Sequence, residues 1–192
     1  MISYAPHFIS VVVLCGMITQ FLNARTGLVN LILQIFNVPA ANYMAKPELF
    51  RDIYVWSDVW QNIGYNSIIY IAALSAISTE LHEAAIVDGA NIIRRIWSID
   101  IPGILPTFSV LLILRCGHLF DIGFEKILLL QNNLNLSVSE VISTYTYNIG
   151  LATPNPQYSY AAAIGLFKSL VNMVLLFSVN RLVRQLSGSS LF

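Results

Sequence analysis

The chain has 192 residues, of which 56% are hydrophobic and only 10% charged, and its ten Lys plus Arg balance ten Asp plus Glu. Soluble domains carry roughly a quarter charged residues, so the composition argues against a soluble enzyme. A neutral chain also lacks the basic face that nucleic acid requires. Cys15 and Cys116, the two cysteines, both lie in apolar stretches and read as small hydrophobes, without a disulfide framework or metal-type spacing.

A helix needs about 20 mostly apolar residues to cross a hydrocarbon core about 30 Å thick. Four segments qualify, at about 6–22, 55–77, 103–120 and 160–182. After the first, Leu28, Leu31, Ile32, Ile35 and Phe36 follow the stripe of a helix lying at a membrane interface, and Pro39 stops it. Within the second, Asp58, Asn62 and Tyr65 are spaced i, i+4, i+7 and share one helical face.

Between the second and third segments, Ser78 or Thr79 can cap a helix with Glu80 in its first turn and Glu83 next. Asp88-Gly89 then turns the chain, and Asn91 can cap a second short helix carrying Arg94 and Arg95. Pro102 and Pro106 suit the start of the third crossing, so 78–102 reads as a helix-turn-helix elbow protruding from the membrane. At the end of the third segment His118, Asp121 and Glu125 fall at i, i+3, i+7, and Trp60, Tyr65 and Phe124 offer flat aromatic faces nearby in sequence to these polar groups or to those of the second segment. Ser137 with Glu140 forms an S-x-x-E box that would open a helix running to about Gly150, before Pro154 and Pro156. Tyr145, Tyr147, Tyr158 and Tyr160 suit a membrane interface.

Polar side chains inside a crossing cost up to about 2.5–3.5 kcal/mol each on insertion scales, so they face a cavity, a partner or headgroup water. Asp58, Asp121 and Glu125 are read either as cargo-facing or as solvated at the ends of crossings, and Arg115 and Lys168 as groups that pair with another helix or snorkel. Lys and Arg tie across the two sides, with Arg94, Arg95, Arg181 and Arg184 against Arg25, Lys46, Arg51 and Lys126. An intramembrane enzyme finds no H-E-x-x-H or G-x-S-x-G here. A passive channel stays open from composition alone.

Glu83-Ala84-Ala85, three residues, Gly89, nine residues, Ile99, one residue and Ile101-Pro102 resemble the EAA loop of ABC importer permeases, E-A-A-x3-G-x9-I-x-L-P, with Ile101 in place of Leu. PHFIS, TGLVN, SDVWQNIGYNSIIYIAAL, GFEKILLL and QYSYAAAIGLFKS extend the likeness to the carbohydrate branch, especially permeases for oligosaccharides and polysaccharide fragments. The resemblance implies an all-α polytopic bundle of the type I ABC importer permease kind, forming one transmembrane domain over 1–192. Four of the usual six core crossings would be present, with two missing ahead of Met1, and a truncated, non-transporting remnant is the alternative reading.

By the same resemblance, Glu83, Ala84, Ala85, Gly89, Ile99 and Pro102 couple to an ATPase, and Asp58, Asn62, Tyr65, Asp121, Phe124 and Glu125 line the sugar path. No cofactor is expected in this chain, which lacks a G-x-x-x-x-G-K-[ST] loop; ATP and Mg would be bound by the partner ATPase. The implied partners are ABC ATPase subunits, a second permease, an extracytoplasmic solute-binding protein, carbohydrate cargo and the lipid bilayer. The implied location is the bacterial cell membrane, crossed several times.

Overall fold

A computed structural model describes residues 2–120 and 123–187. A 3-10 turn over Ile2–Phe8 leads into α1 (Val11–Phe21), α2 (Leu28–Ile35), a second 3-10 turn (Tyr43–Ala45) and the long α3 (Pro47–Ser75). Then come α4 (Thr79–Val87), α5 (Ile92–Arg95), a π-helical turn (Ile96–Asp100), α6 (Ile101–Gly117), α7 (Phe124–Leu130), α8 (Leu136–Ser139), α9 (Ile142–Gly150) and α10 (Tyr158–Ser187). The fold is of the all-helical polytopic class the sequence implied, and the described residues contain no strand.

Among the described residues, Ile92–Gly117 and Tyr158–Gln185 are both long and apolar enough to cross a bilayer. Of the other two expected crossings, α3 has the length, since its 29 residues extend roughly 44 Å at about 1.5 Å each. Asp58, Gln61, Asn62 and Asn66 keep its hydropathy low. The segment at 6–22 is divided: Pro6 lies in the first 3-10 turn, and Ser10 opens α1 anew, its hydroxyl accepting from the Val13 amide at 3.3 Å. The resulting 11-residue helix is about 16 Å long, too short to cross alone.

The chain forms two compact units, Met1–Gly64 with Asp121–Gly165, and Tyr65–Phe120 with Leu166–Phe192. The first packs Cys15, Phe50, Ile127 and Leu130 into a core flanked by Val11, Ile18, Met44, Tyr54, Val138 and Val141. Its helices are short, so many backbone groups leave the helical ladder, and three asparagines take them up. Asn30, buried on α2, donates to the carbonyls of Asn23 and Ala41 at 2.9 Å and accepts from the Ala41 amide at 3.0 Å. Asn135, fully buried, donates to the carbonyls of Met44 and Leu130 and accepts from the Asn132 amide and the Ser139 hydroxyl. Asn132 adds a second bond to Met44 at 3.0 Å.

That network explains a departure from the sequence reading. Ser137 lies inside α8, and no box with Glu140 opens the next helix; Ser139 bonds inward to Asn135, and α9 starts at Ile142, capped by Val141, whose amide donates to Thr144 Oγ1 at 3.1 Å. The α2 stripe is as expected, with Leu28, Leu31, Ile32, Ile35 and Phe36 all exposed and Asn30 turned inward. The helix ends before Pro39, however, because Asn37 takes the left-handed conformation at φ 59° and Val38 N–H bonds back to Leu33 O.

The second unit holds the end of α3, α4 to α6 and most of α10. Leu166, Phe167, Leu170, Met173, Val174 and Phe177 of α10 are all exposed and, at i, i+1, i+4, i+7, i+8 and i+11, form one broad apolar face on that helix.

Replacing Asn135 with Ala would take the partner from Leu130 O, the Asn132 amide and the Ser139 hydroxyl, while Met44 O keeps its bond from Asn132. The expected cost is about 2–3 kcal/mol of stability, read as a lower thermal midpoint of the purified subunit. Leu134→Ala, next to it but exposed, is expected to leave the midpoint unchanged.

Candidate functional site

The elbow is built by local rules. Ser78 caps α4, its hydroxyl accepting from the Glu80 amide at 3.2 Å, and α4 closes with the Ala90 amide donating to Ala85 O at 2.9 Å. Gly89, at φ +75°, occupies the left-handed region that favours glycine at a helix end. Asn91 caps α5 by accepting from the Arg94 amide at 2.8 Å.

Beyond α5 the structure departs from the expected separate short helix. The chain continues through the π-helical turn at Ile96–Asp100 straight into α6 as one run, Ile92–Gly117. Pro102 lacks the N–H that a regular helix would offer to the carbonyl at Ser98, and the wider turn falls on the residues just before it. One arm of the elbow is therefore continuous with a helix long and apolar enough to cross a bilayer. The other arm is tied to it by His82 Nε2, 3.2 Å from Asp100 Oδ1, a pair the sequence reading did not single out.

Glu83, Ala84, Gly89 and Pro102 are exposed, while Ala85 and Ile99 are half-buried. Around them Leu81, Ile86, Ile92 and Ile93 are exposed, as are Val87 at 87% and Trp97 at 68%. Large apolar side chains left in the open beside a carboxylate and two arginines form a surface suited to a protein partner.

A second site lies in the first unit. His7, Phe8, Asp58, Gln61, Asn62, Gly123, Phe124, Glu125 and Lys126 line much of an open cleft of about 490 Å³. Asn62, one turn beyond Asp58 on α3, donates to Asp58 Oδ1 at 3.1 Å. Its carbonyl oxygen faces His7 Nδ1 at 3.0 Å, and because a carbonyl only accepts, His7 carries its proton on Nδ1. Gln61 is buried and fastens the N-terminal segment by donating to Ile9 O at 3.2 Å.

Lys126 approaches Asp58 Oδ1 at 3.6 Å, with its side chain 5% exposed against 51% for Asp58. The ammonium also lies 5.1 Å from the centre of the Tyr54 ring and has no hydrogen-bond acceptor among the described residues. Burial pushes Lys126 below the usual lysine range, and the Asp58 carboxylate opposes that shift. Gly123, at φ +26°, begins α7 where a side chain would run into the Tyr54 hydroxyl, so glycine at this point sets where Glu125 and Lys126 enter the cleft.

Of the residues read as a sugar path, Asp58, Asn62, Phe124 and Glu125 thus meet in one cleft. Tyr65 belongs to the second unit and is exposed, and Asp121 lies outside the described residues. His118 and Glu125 do not share a helix, because α6 ends at Gly117 and α7 starts at Phe124. Trp60 is exposed and does not line the cleft, whereas Phe124 packs edge-on against Tyr147 at 5.4 Å. His7, Gln61 and Lys126 were missed. A single cation at the head of the apolar run ILLL was the available signal for Lys126; for His7 there was none, since a partner 55 positions away leaves no local pattern.

The family model described as binding-protein-dependent transport system inner membrane component matches residues 59–188. Protein LplB of Bacillus subtilis (strain 168) is 36% identical over 189 residues, covering 98% of this chain and 59% of that protein. The polygalacturonan/rhamnogalacturonan transport system permease protein YteP of the same organism is also 36% identical over 189 residues, covering 98% and 58%. Among solved structures, a chain of a bacterial alginate ABC transporter in complex with an alginate pentasaccharide-bound periplasmic protein superposes with a TM-score of 0.94 at 38% identity, over 99% of this chain and 65% of that one. The chain therefore spans less than two thirds of the length of these relatives.

Asp58→Asn is expected to leave the buried Lys126 ammonium without its counter-charge and to lower the thermal midpoint by the equivalent of about 1–2 kcal/mol. Lys126→Met, which removes the buried charge itself, is expected to cost less, and the double variant to recover most of the loss. A double-mutant cycle on thermal midpoints reads this directly.

Proposed function

The chain belongs to the family of binding-protein-dependent transport system inner membrane components, and from that membership we propose that it is the membrane-spanning subunit of an ATP-binding-cassette importer for a sugar or oligosaccharide. Residues 1–192 work as a transmembrane permease domain in a bacterial cell membrane, crossing it several times. The observation that carries the reading is the elbow at 78–102: an exposed apolar surface with Glu83 and Gly89 at its bend, rigidly continuous with α6. A pull or push on such an elbow moves a crossing as a lever, which is what coupling to a separate ATPase demands.

In this proposal ATP and Mg are bound by two ATPase subunits, whose surface receives Leu81, Val87 and Trp97 while a basic group meets Glu83. A second permease completes the pathway, and an external solute-binding protein delivers the cargo. The relatives named for polygalacturonan, rhamnogalacturonan and alginate support an oligosaccharide as that cargo. The cleft of Asp58, Asn62, Phe124 and Glu125 offers directional acceptors and donors with an aromatic ring, the groups a hydroxyl-rich ligand uses.

Gly89→Val is expected to strain the bend and Glu83→Ala to remove the docking charge. Each should lower sugar uptake by about tenfold while the subunit still reaches the membrane, and ATP hydrolysis by the assembled transporter should no longer rise when loaded binding protein is added. Wild-type uptake and stimulation in both variants would remove the elbow from the coupling role.

A further inference from the structure

Arg115 belongs neither to the elbow nor to the cleft. It lies on α6, 14 positions after Ile101 (115 − 101), about 21 Å along the helix. Asn66 on α3 lies nine positions before Ser75 (75 − 66), about 14 Å from that helix end. Arg115 thus stands two positions (117 − 115) before the end of the apolar Ile92–Gly117 run, and Asn66 within the 29-residue α3.

Arginine stays charged in every protein environment and has five N–H donors in a planar fork. Here one of them is used: Arg115 Nη2 donates to Asn66 Oδ1 at 3.2 Å, and among the described residues no carboxylate lies within ion-pair distance. The side chain is exposed rather than sealed into packing. A cation on an apolar helix with only a neutral amide beside it calls for a negative group from elsewhere.

The surroundings say which kind. Arg115, Asn66, Tyr70 and Phe108 line a pocket of about 240 Å³, completed by Ile69 and aliphatic residues of α6. A guanidinium fork fits a carboxylate by two parallel hydrogen bonds, an amide serves hydroxyls, and two aromatic rings present faces against which a pyranose can lie. A salt bridge to a neighbouring protein helix would need the fork alone and would leave the rings and the cavity without a role.

We propose that Arg115, with Asn66, Tyr70 and Phe108, forms a recognition point for the carboxylate of an acidic sugar residue, making this a permease selective for uronate-containing oligosaccharides. This rests on the sugar-importer reading above and specifies its substrate class. Asn66 holds the guanidinium in place through the bond it already makes, leaving the remaining donors for the ligand. A neutral sugar would leave the charge unsatisfied, so selectivity arises as much from penalising neutral cargo as from binding acidic cargo.

The test uses the complete transporter, with its second permease, ATPase subunits and binding protein, reconstituted in proteoliposomes. The probes are trigalacturonate, trimannuronate, the methyl ester of each, and maltotriose. The wild type is expected to import an acid form in preference to its ester. Arg115→Gln should slow uptake of that acid by about tenfold or more while still co-purifying with the other subunits, and Arg115→Lys should keep part of the rate because it keeps the charge without the fork. Wild-type import of maltotriose or the esters as fast as the acids, or acid uptake unaffected in Arg115→Gln, overturns the proposal. Loss of co-purification in both variants overturns it in favour of a salt bridge to a neighbouring subunit. Absence of ATP-dependent uptake of every probe removes the importer reading itself, and this inference with it.

Discussion

A backbone amide or carbonyl that leaves its helix in apolar surroundings has no water to turn to, and the first unit is organised around that constraint. Its short helices α7, α8 and α9 break and restart within 27 residues (150 − 124 + 1), so unbonded main-chain groups accumulate where the packing is densest. Buried asparagine amides answer them, each with donors and an acceptor on a short, stiff stem. Asn135 alone joins α7, α8 and the 3-10 turn at Tyr43–Ala45, and Asn30 does the same for the chain on both sides of α2. The irregular backbone that holds the cleft's second wall depends on these bonds.

The elbow in the second unit follows the opposite logic. Its groups are satisfied locally, by Ser78 and Asn91 caps and by the Gly89 turn, so it needs no core of its own. That independence leaves its apolar side chains exposed. It also leaves one arm continuous with a membrane crossing and the other braced by the His82–Asp100 pair.

The charges divide in a similar way. Lys126 is buried, and the half-exposed carboxylate of Asp58 compensates it from within the same unit. Arg115 meets only an amide and keeps most of its donors free. The first arrangement shapes a cleft without demanding a ligand, since the ammonium is compensated before anything arrives. In the second, the partner at hand is neutral.

Much was legible in the sequence wherever the determining physics is local. The all-helical membrane class follows from composition, the α2 stripe from its spacing, and the caps and turn of the elbow from Ser78, Gly89 and Asn91, because a cap or a left-handed turn involves residues within about four positions of one another. The EAA spacing carried family membership. Tertiary structure alone decided what depends on distant neighbours. Ser139 turns inward to Asn135 and displaces the expected cap, α6 stops at Gly117 and cancels the face imagined through Glu125, and His7 meets Asn62 across 55 positions to complete the cleft. A side chain's partner across the fold is set by which helices pack together, and periodicity along one helix holds no information about that.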